Sequence, residues 1–202
     1  MASHIAGIPK LETRNPRSIF VLFAALNAMG YDEENNTKGM TPARKKVRNV
    51  LLGYDWGEKY PGLERAFRKY HPWHLLSVIL AKQKNIKKTS VLGGCLLDLE
   101  RFSKEPLLRK LWSIFKTYQT EEAKKLFPLL KEETVRLITF LNRPSPKIKK
   151  IVFIANPLDA YWRGYGFGIE VGFWDGPAGI GYVVAGPGAE KNRGDLIRHE
   201  LH

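Results

Sequence analysis

Three features of the sequence predict an α+β fold. The first is a series of helical patterns, most of them opening at a proline, that fills residues 15–141. The second is a change of pattern after about residue 149, where short β-branched and aromatic runs are separated by glycine-rich turns. The third is a proline-rich break at 142–146 that cannot continue a helix. A helical N-terminal region followed by a small mixed sheet is therefore expected.

The helices are predicted from their boundaries and their apolar faces. Asn15 and Pro16 give an N-cap followed by a proline at the first helical position, and Gly30 ends the apolar stretch behind them. A threonine and a proline at 41–42 repeat this signal, and Pro128 is expected to kink or divide the last helix. The expected helices cover residues 19–29, 43–52, 61–69, 72–81, 90–102, 106–118 and 121–141.

The region after the break is predicted to hold three strands and a final helix. The strands are expected at 151–154, 166–173 and 180–185, where β-branched and aromatic residues dominate or alternate with smaller ones. Asn192 can cap the last helix, and Asp195 then lies in its positive first turn. His199 follows in the second turn.

The charge of the chain is unevenly distributed. The formal net charge is +13, yet residues 149–202 carry six basic and six acidic residues, so the excess lies in front of them. The expected organisation is a helical basic region at 1–146 and a partial sheet with a motif helix at 147–202. A strongly basic surface commonly meets nucleic acid or another anionic partner, although a solvated basic face with no dedicated partner explains the charge equally well.

Composition excludes several classes of protein. With 202 residues and 44% hydrophobic content, the chain can bury a substantial core. The longest apolar run, at 19–26, is far shorter than the roughly 18 to 20 residues that cross a bilayer, and no secretory signal is visible. A cytoplasmic protein without membrane association is expected. The single cysteine, Cys95, excludes an intrachain disulfide and cysteine-based zinc sites.

The most informative residues are His199 and Glu200, which match the first two positions of His-Glu-x-x-His. In that motif two histidines one helical turn apart bind one Zn²⁺, and the glutamate handles the attacking water. The second histidine would be residue 203. His202, at i+3 rather than i+4, lies roughly 60° off His199 around the helix axis. The sequence therefore predicts a chain that stops inside the motif, truncated and inactive as it stands.

The strand pattern followed by a His-Glu-x-x helix resembles the first half of the catalytic domain of zincin metallopeptidases. The segments at 15–20 and 28–31 also resemble the start of a family of uncharacterised zincin-like proteins. The resemblance implies that His199 is a zinc ligand and Glu200 the general base. It implies that an edge strand aligns a peptide substrate through main-chain hydrogen bonds, a role that falls on four residues: Tyr182, Val183, Val184 and Ala185. The second histidine and the third ligand have no counterpart here.

The geometry of a motif helix adds an expectation for its neighbours. Ile197 and Leu201 should pack on the sheet, and His199 should point to the same side as the inward face of the sheet. No complete zinc shell is expected from this chain.

Two further patterns have simpler explanations. His71 and His74 are a second histidine pair, but the intervening proline and tryptophan favour packing at a helix start. The glycine-rich run 164–168 leads into a strand rather than a helix, so it is interpreted as a tight turn and not as a phosphate loop.

Two alternatives to the peptidase remain open. In the first, lysines and arginines of the N-terminal region contact phosphates and its aromatic residues stack bases, giving weak, non-specific nucleic-acid binding. No recognised nucleic-acid-binding motif accompanies these residues. In the second, the chain is a non-catalytic scaffold on a peptidase fold.

Overall fold

The protein is an α+β chain, as the sequence predicts. The structure, a computed structural model, describes residues 8–31, 41–52, 56–81, 86–141, 148–159, 164–169, 179–187 and 195–201. In chain order, the elements are β1 (Lys10–Thr13), α1 (Arg17–Ala28), α2 (Pro42–Leu51), α3 (Trp56–Lys59), α4 (Pro61–Lys69), α5 (Pro72–Ala81), α6 (Val91–Ser103), α7 (Pro106–Leu141), β2 (Lys150–Ala155), β3 (Gly164–Ile169), β4 (Ile180–Ala185) and α8 (Asp195–Leu201).

Most helix starts follow the capping and proline signals in the sequence. The exception is α1, where Pro16 rather than Asn15 is the N-cap and no side chain caps the helix. The Thr41 hydroxyl accepts the N–H of Arg44 at 3.1 Å and caps α2, and the Ser90 hydroxyl accepts the N–H of Gly93 at 3.0 Å and caps α6. Prolines occupy the first position of α2, α4, α5 and α7, where their missing N–H costs no helical hydrogen bond. The predicted helix boundaries therefore lie within two residues of the observed ones, except within α7.

The long helix α7 corrects one expectation, because it is a single element from Pro106 to Leu141. The polar residues at 119–120 do not end the helix, since the buried Gln119 donates its side-chain N–H to the carbonyl of Ala155 in β2. Pro128 also lies inside the helix and does not divide it. Its side chain is exposed, whereas Leu126 and Leu130 are fully buried on either side of it. Packing against the sheet thus outweighs the local cost of the proline.

The sheet has the strand order β1-β2-β4-β3. β1, β2 and β4 are parallel, and β3 is antiparallel to β4, so the sheet is mixed as expected. β1 is an addition to the predicted strands, and it pairs with β2 across the expected boundary near 146. The two expected regions therefore share one sheet. The break at 142–146 and the strand segment at 170–173 lie outside the described residues.

The central strands are buried on both faces. One face, with Val152, Ile154 and Val184, joins the large core cluster formed by α1 and the helices around it. The other face, with Phe153 and Val183, packs against α7 and α8 in a smaller cluster. Because both faces are covered, β2 and β4 read as continuous apolar runs in the sequence. This arrangement places α8 against the sheet beside β3.

Candidate functional site at α8 and the β3 edge

The helix that carries His199 and Glu200 is fixed to the sheet by its apolar residues. Ile197 is fully buried in the cluster that contains Phe153 and Val183, and Leu201 packs against the same cluster. Both contacts agree with the sequence-based expectation for a motif helix. The predicted cap at Asn192 lies outside the described residues.

An ion pair ties α8 to α7. The carboxylate of Glu133, with a side chain only 2% exposed, accepts from Arg198 Nε at 2.6 Å and Nη2 at 3.0 Å. Arg136 contributes a further bond at 3.1 Å. The hydrogen bond from Arg198 is the main cause that holds the pKa of Glu133 below its ordinary value. A two-point arginine–carboxylate contact fixes direction as well as distance, so it orients the turn that carries Glu200.

Glycines in β3 allow α8 to approach the strand closely. A Cβ added to Gly166 would overlap the carbonyl oxygen of Glu200, and one added to Gly164 would lie 2.8 Å from the Glu200 Cγ. The sequence-based interpretation of the glycine-rich run 164–168 as a tight turn did not predict that its glycines let α8 pack closely on β3. The available signal was glycine at every second position, which keeps one face of a strand free of side chains.

The carboxylate of Glu200 lies against the main chain of β3. It accepts a hydrogen bond from the backbone N–H of Gly166. Burial raises the pKa of Glu200, while the charge of His199 and the Gly166 N–H act in the opposite direction. A half-buried glutamate with a raised pKa beside a histidine is suited to proton transfer.

His199 corrects the expectation that it faces the sheet, because it is exposed. The reason is helix geometry. Ile197 and Leu201 are four residues apart and share the face that packs on the sheet, so a residue midway between them is about 200° away on the opposite side. A metal held by His199 would therefore be reached from solvent rather than from inside the core.

The described residues contain no group of three or more His, Cys, Asp or Glu side chains that could together hold a metal ion. His202 lies outside them. His71 and His74 have the packing role predicted for them: His71 Nδ1 accepts the backbone N–H of Trp73 at 3.2 Å, and the His74 ring lies edge-on to the Trp73 ring at 5.0 Å.

The expectation that Tyr182, Val183, Val184 and Ala185 form an edge strand is wrong. These residues belong to β4, which is paired with β2 on one side and with β3 on the other. Its main-chain groups are used by the sheet, so β4 has none to offer a peptide substrate. The strand at this edge of the described sheet is β3. Strand order depends on tertiary pairing, which the sequence pattern of one strand does not encode.

Gly166 presents its main chain at that edge. Its N–H donates to Glu200, and its carbonyl accepts from Trp73 Nε1 at 3.4 Å. The N–H and C=O of one strand residue point to the same side, so both point away from β4. Glu200 and the indole of Trp73 therefore both contact Gly166 of β3. The sequence-based prediction assigned Trp73 only to packing.

Comparison of the chain with protein-family models, with curated proteins and with solved structures finds no match. None of the helices in the described part of the chain has the length and apolar character needed to cross a membrane. A proposal for this site depends on its own residues.

Proposed function

We propose that α8 and β3 form part of the active site of a zinc-dependent metallopeptidase that hydrolyses peptide bonds. The observation that carries the proposal is the placement of the His199–Glu200 pair. The helix that holds the pair is the next described element after β4, packs against β3 and β4, and brings the Glu200 carboxylate to the main chain of the edge strand. A general base beside an exposed strand edge is arranged to act on an extended peptide.

The donor chemistry of this corner fits zinc. The imidazole of His199 is exposed, and imidazole nitrogen is among the usual ligands of Zn²⁺. Zn²⁺, when bound, polarises a carbonyl group and lowers the pKa of water. Further ligands would be residues other than those that the structure describes. Under this proposal His199 is one ligand of the site.

Glu200 supplies the proton transfer. Its carboxylate would take a proton from the attacking water and pass it to the amine of the leaving peptide. The raised pKa of Glu200 favours the first step, because the conjugate base of a weaker acid accepts a proton more readily. The hydrogen bond from Gly166 keeps the carboxylate at the strand edge.

The edge of β3 supplies the place for the substrate main chain. β3 takes the role that the sequence-based resemblance gave to residues 182–185, because β3 has one side unpaired within the described sheet. An extended peptide that added to this edge would run past the Glu200 carboxylate. The C=O of Gly166 is the group that it would engage, since the Gly166 N–H is bonded to Glu200.

The proposal is tested on the natural full-length protein by measuring bound zinc and peptide cleavage together. We expect one zinc per chain in the wild type and loss of that zinc in His199→Ala. Glu200→Gln should keep the zinc and lose about 100-fold or more in kcat, because it removes only the general base. The matched control is Glu100→Gln, an exposed glutamate on α6 outside the site, which should change neither quantity. A full-length protein that binds no zinc, or a Glu200→Gln variant with unchanged cleavage, would refute the proposal.

A further inference from the structure

On the side of β3 that faces away from β4, the main chain of Gly166 is covered by one side chain from each face of the sheet. Glu200 approaches from the α8 face and accepts the Gly166 N–H. Trp73 packs against the core cluster on the opposite face, and its indole N–H reaches the Gly166 carbonyl. An acceptor and a donor thus stand where an added strand would place its own C=O and N–H.

The two contacts differ in strength. The Trp73 hydrogen bond joins two neutral groups at 3.4 Å, well beyond the usual length of about 2.9–3.0 Å for such bonds. The Glu200 contact involves a carboxylate and is of the stronger, charge-assisted kind when that group is ionised. Trp73 is therefore the more easily displaced of the two.

The position of Trp73 is set by its neighbours at the start of α5. Its backbone N–H is held by His71 Nδ1, and its ring lies edge-on to that of His74. These contacts fix the backbone of Trp73, but the bond from its indole to Gly166 can be exchanged for one from another donor. An exchangeable donor on a strand edge is a means of keeping that edge closed until a competing strand arrives.

We propose that Trp73 gates the β3 edge, so that an extended peptide binds there by replacing the indole N–H at the Gly166 carbonyl with one of its own main-chain N–H groups. The inference rests on the proposed function for the identity of the occupant. A peptide bonded to Gly166 would have a carbonyl group beside the Glu200 carboxylate, which suits a substrate segment better than a permanent partner strand. Trp73 then sets the affinity of the edge for peptide main chain.

The experiment compares Trp73→Phe with the wild-type chain. Phenylalanine keeps an aromatic ring at the start of α5 and removes only the N–H donor. The probe is a fluorescein-labelled peptide, acetyl-Ser-Thr-Val-Gly-Thr-Val-Ser-amide, whose binding is followed by fluorescence polarisation in the presence of a metal chelator. Because a neutral hydrogen bond has a modest net value, we expect Trp73→Phe to bind the probe about 2- to 10-fold more tightly than the wild type.

Trp112→Phe is the matched control, because Trp112 stacks on Phe20 in the core and has no contact with the edge among those described. It should leave probe affinity unchanged. A probe with N-methylated glycine and second valine, which lacks two main-chain donors, should bind all variants weakly. Trp73→Leu serves as the second variant if Trp73→Phe fails to fold, as judged by circular dichroism.

The gate is overturned if Trp73→Phe binds the probe no more tightly than the wild type does. It is also overturned if the N-methylated probe binds as tightly as the unmodified one. Concentration-dependent dimerisation of the variant without probe also overturns it, since the occupant would then be a second copy of the chain. The chelator makes these results independent of zinc. A full-length protein that fails to bind zinc would therefore end the peptidase proposal and leave the gate standing.

Discussion

The two edges of the described sheet are protected in different ways. At β1 the protection is charge: Glu12 pairs with Arg14 at 2.6 Å and with Lys150 at 3.4 Å, and Lys10 is exposed. At β3 the strand carries glycines, and side chains from two helices cover its main chain. Charges along an edge repel any added strand permanently, whereas single hydrogen bonds can be exchanged. The β1 edge is therefore protected against strand addition at all times. Under the gate proposed for Trp73, the β3 edge can accept an extended peptide.

The largest effect should come from replacing Gly166 by alanine. The new Cβ would overlap the backbone carbonyl of Glu200, which cannot move without shifting α8. We expect the free energy of unfolding to fall by about 2 to 3 kcal/mol, measured by urea denaturation. Gly164→Ala meets only the flexible Glu200 side chain and should cost less. Thr13→Ala, on the exposed face of β1, should change stability by about 0.5 kcal/mol or less. Equal losses for the two glycine variants would show that α8 does not pack on β3 in this way.

A second test compares the ion pairs near the two edges. Arg198→Ala leaves the nearly buried carboxylate of Glu133 with Arg136 as its remaining partner among the contacts described above, and we expect a loss of about 1 to 2 kcal/mol, reduced by the partial exposure of Arg198. Arg14→Ala breaks a contact whose arginine is half exposed, so its cost should be about 0.5 kcal/mol or less. Thermal unfolding of both variants at one pH gives the comparison. A larger loss for Arg14→Ala would show that the ion pair at β1 contributes more to stability than the one that joins α7 to α8.

The two edge glutamates should respond to pH with opposite signs. Burial raises the pKa of Glu200, so the stability that this carboxyl provides is present below the ordinary glutamate range and is lost as the pH rises through its folded pKa. Glu200→Gln should therefore gain in melting temperature over the wild type between about pH 4 and pH 7, since its amide oxygen can still accept from Gly166.

Glu12 should behave in the reverse way. Burial acts to raise the pKa of Glu12, but the hydrogen bond and charge of Lys150, with those of Arg14, outweigh it and lower the pKa. Its contribution to stability is then present above the ordinary range and is lost as the pH falls. Glu12→Gln should lose melting temperature relative to the wild type over the same interval. Parallel pH profiles for the two variants would contradict the comparison.

The smallest effect concerns nucleic acid. If the basic N-terminal region were a dedicated nucleic-acid surface, a DNA duplex should bind tightly and with a preferred sequence. We expect instead only weak binding of a 20-base-pair duplex that fades as the salt concentration rises, because the excess positive charge lies in residues 1–148 without a recognised motif. Titrations at about 50 mM and 150 mM salt provide the measurement. Sequence-preferring binding that persists at the higher salt would favour the nucleic-acid alternative.

The sequence predicted most of the helices because their boundaries are local. Thr41 and Ser90 act as caps, and prolines open four of the helices, so each boundary is determined by a few neighbouring residues. β1 could not be predicted in this way, since its four residues include one apolar side chain and its partner lies far along the chain. The continuity of α7 was also hidden, because packing on β2 overrides its polar residues and its proline.

The candidate site was predictable in part. The His199–Glu200 pair was visible as a motif, and the outward direction of His199 follows from the inward direction of Ile197 and Leu201 on one helix. The identity of the edge strand was not visible, because it depends on β3 pairing beyond β4. The role of Trp73 was hidden for the same reason: it meets Gly166 only when α5 and β3, 93 positions apart, come together.

The parallel pairing of β1 with β2 has a consequence for the order of events during synthesis. Lys10 aligns with Lys150, so β1 has no partner until the ribosome has added a further 140 residues. At typical rates of chain elongation this interval is about 7 to 28 s. Throughout it the N-terminal segment must stay available without joining another nascent chain. A short strand with alternating charge is suited to that wait, and the helices can form before the sheet is completed.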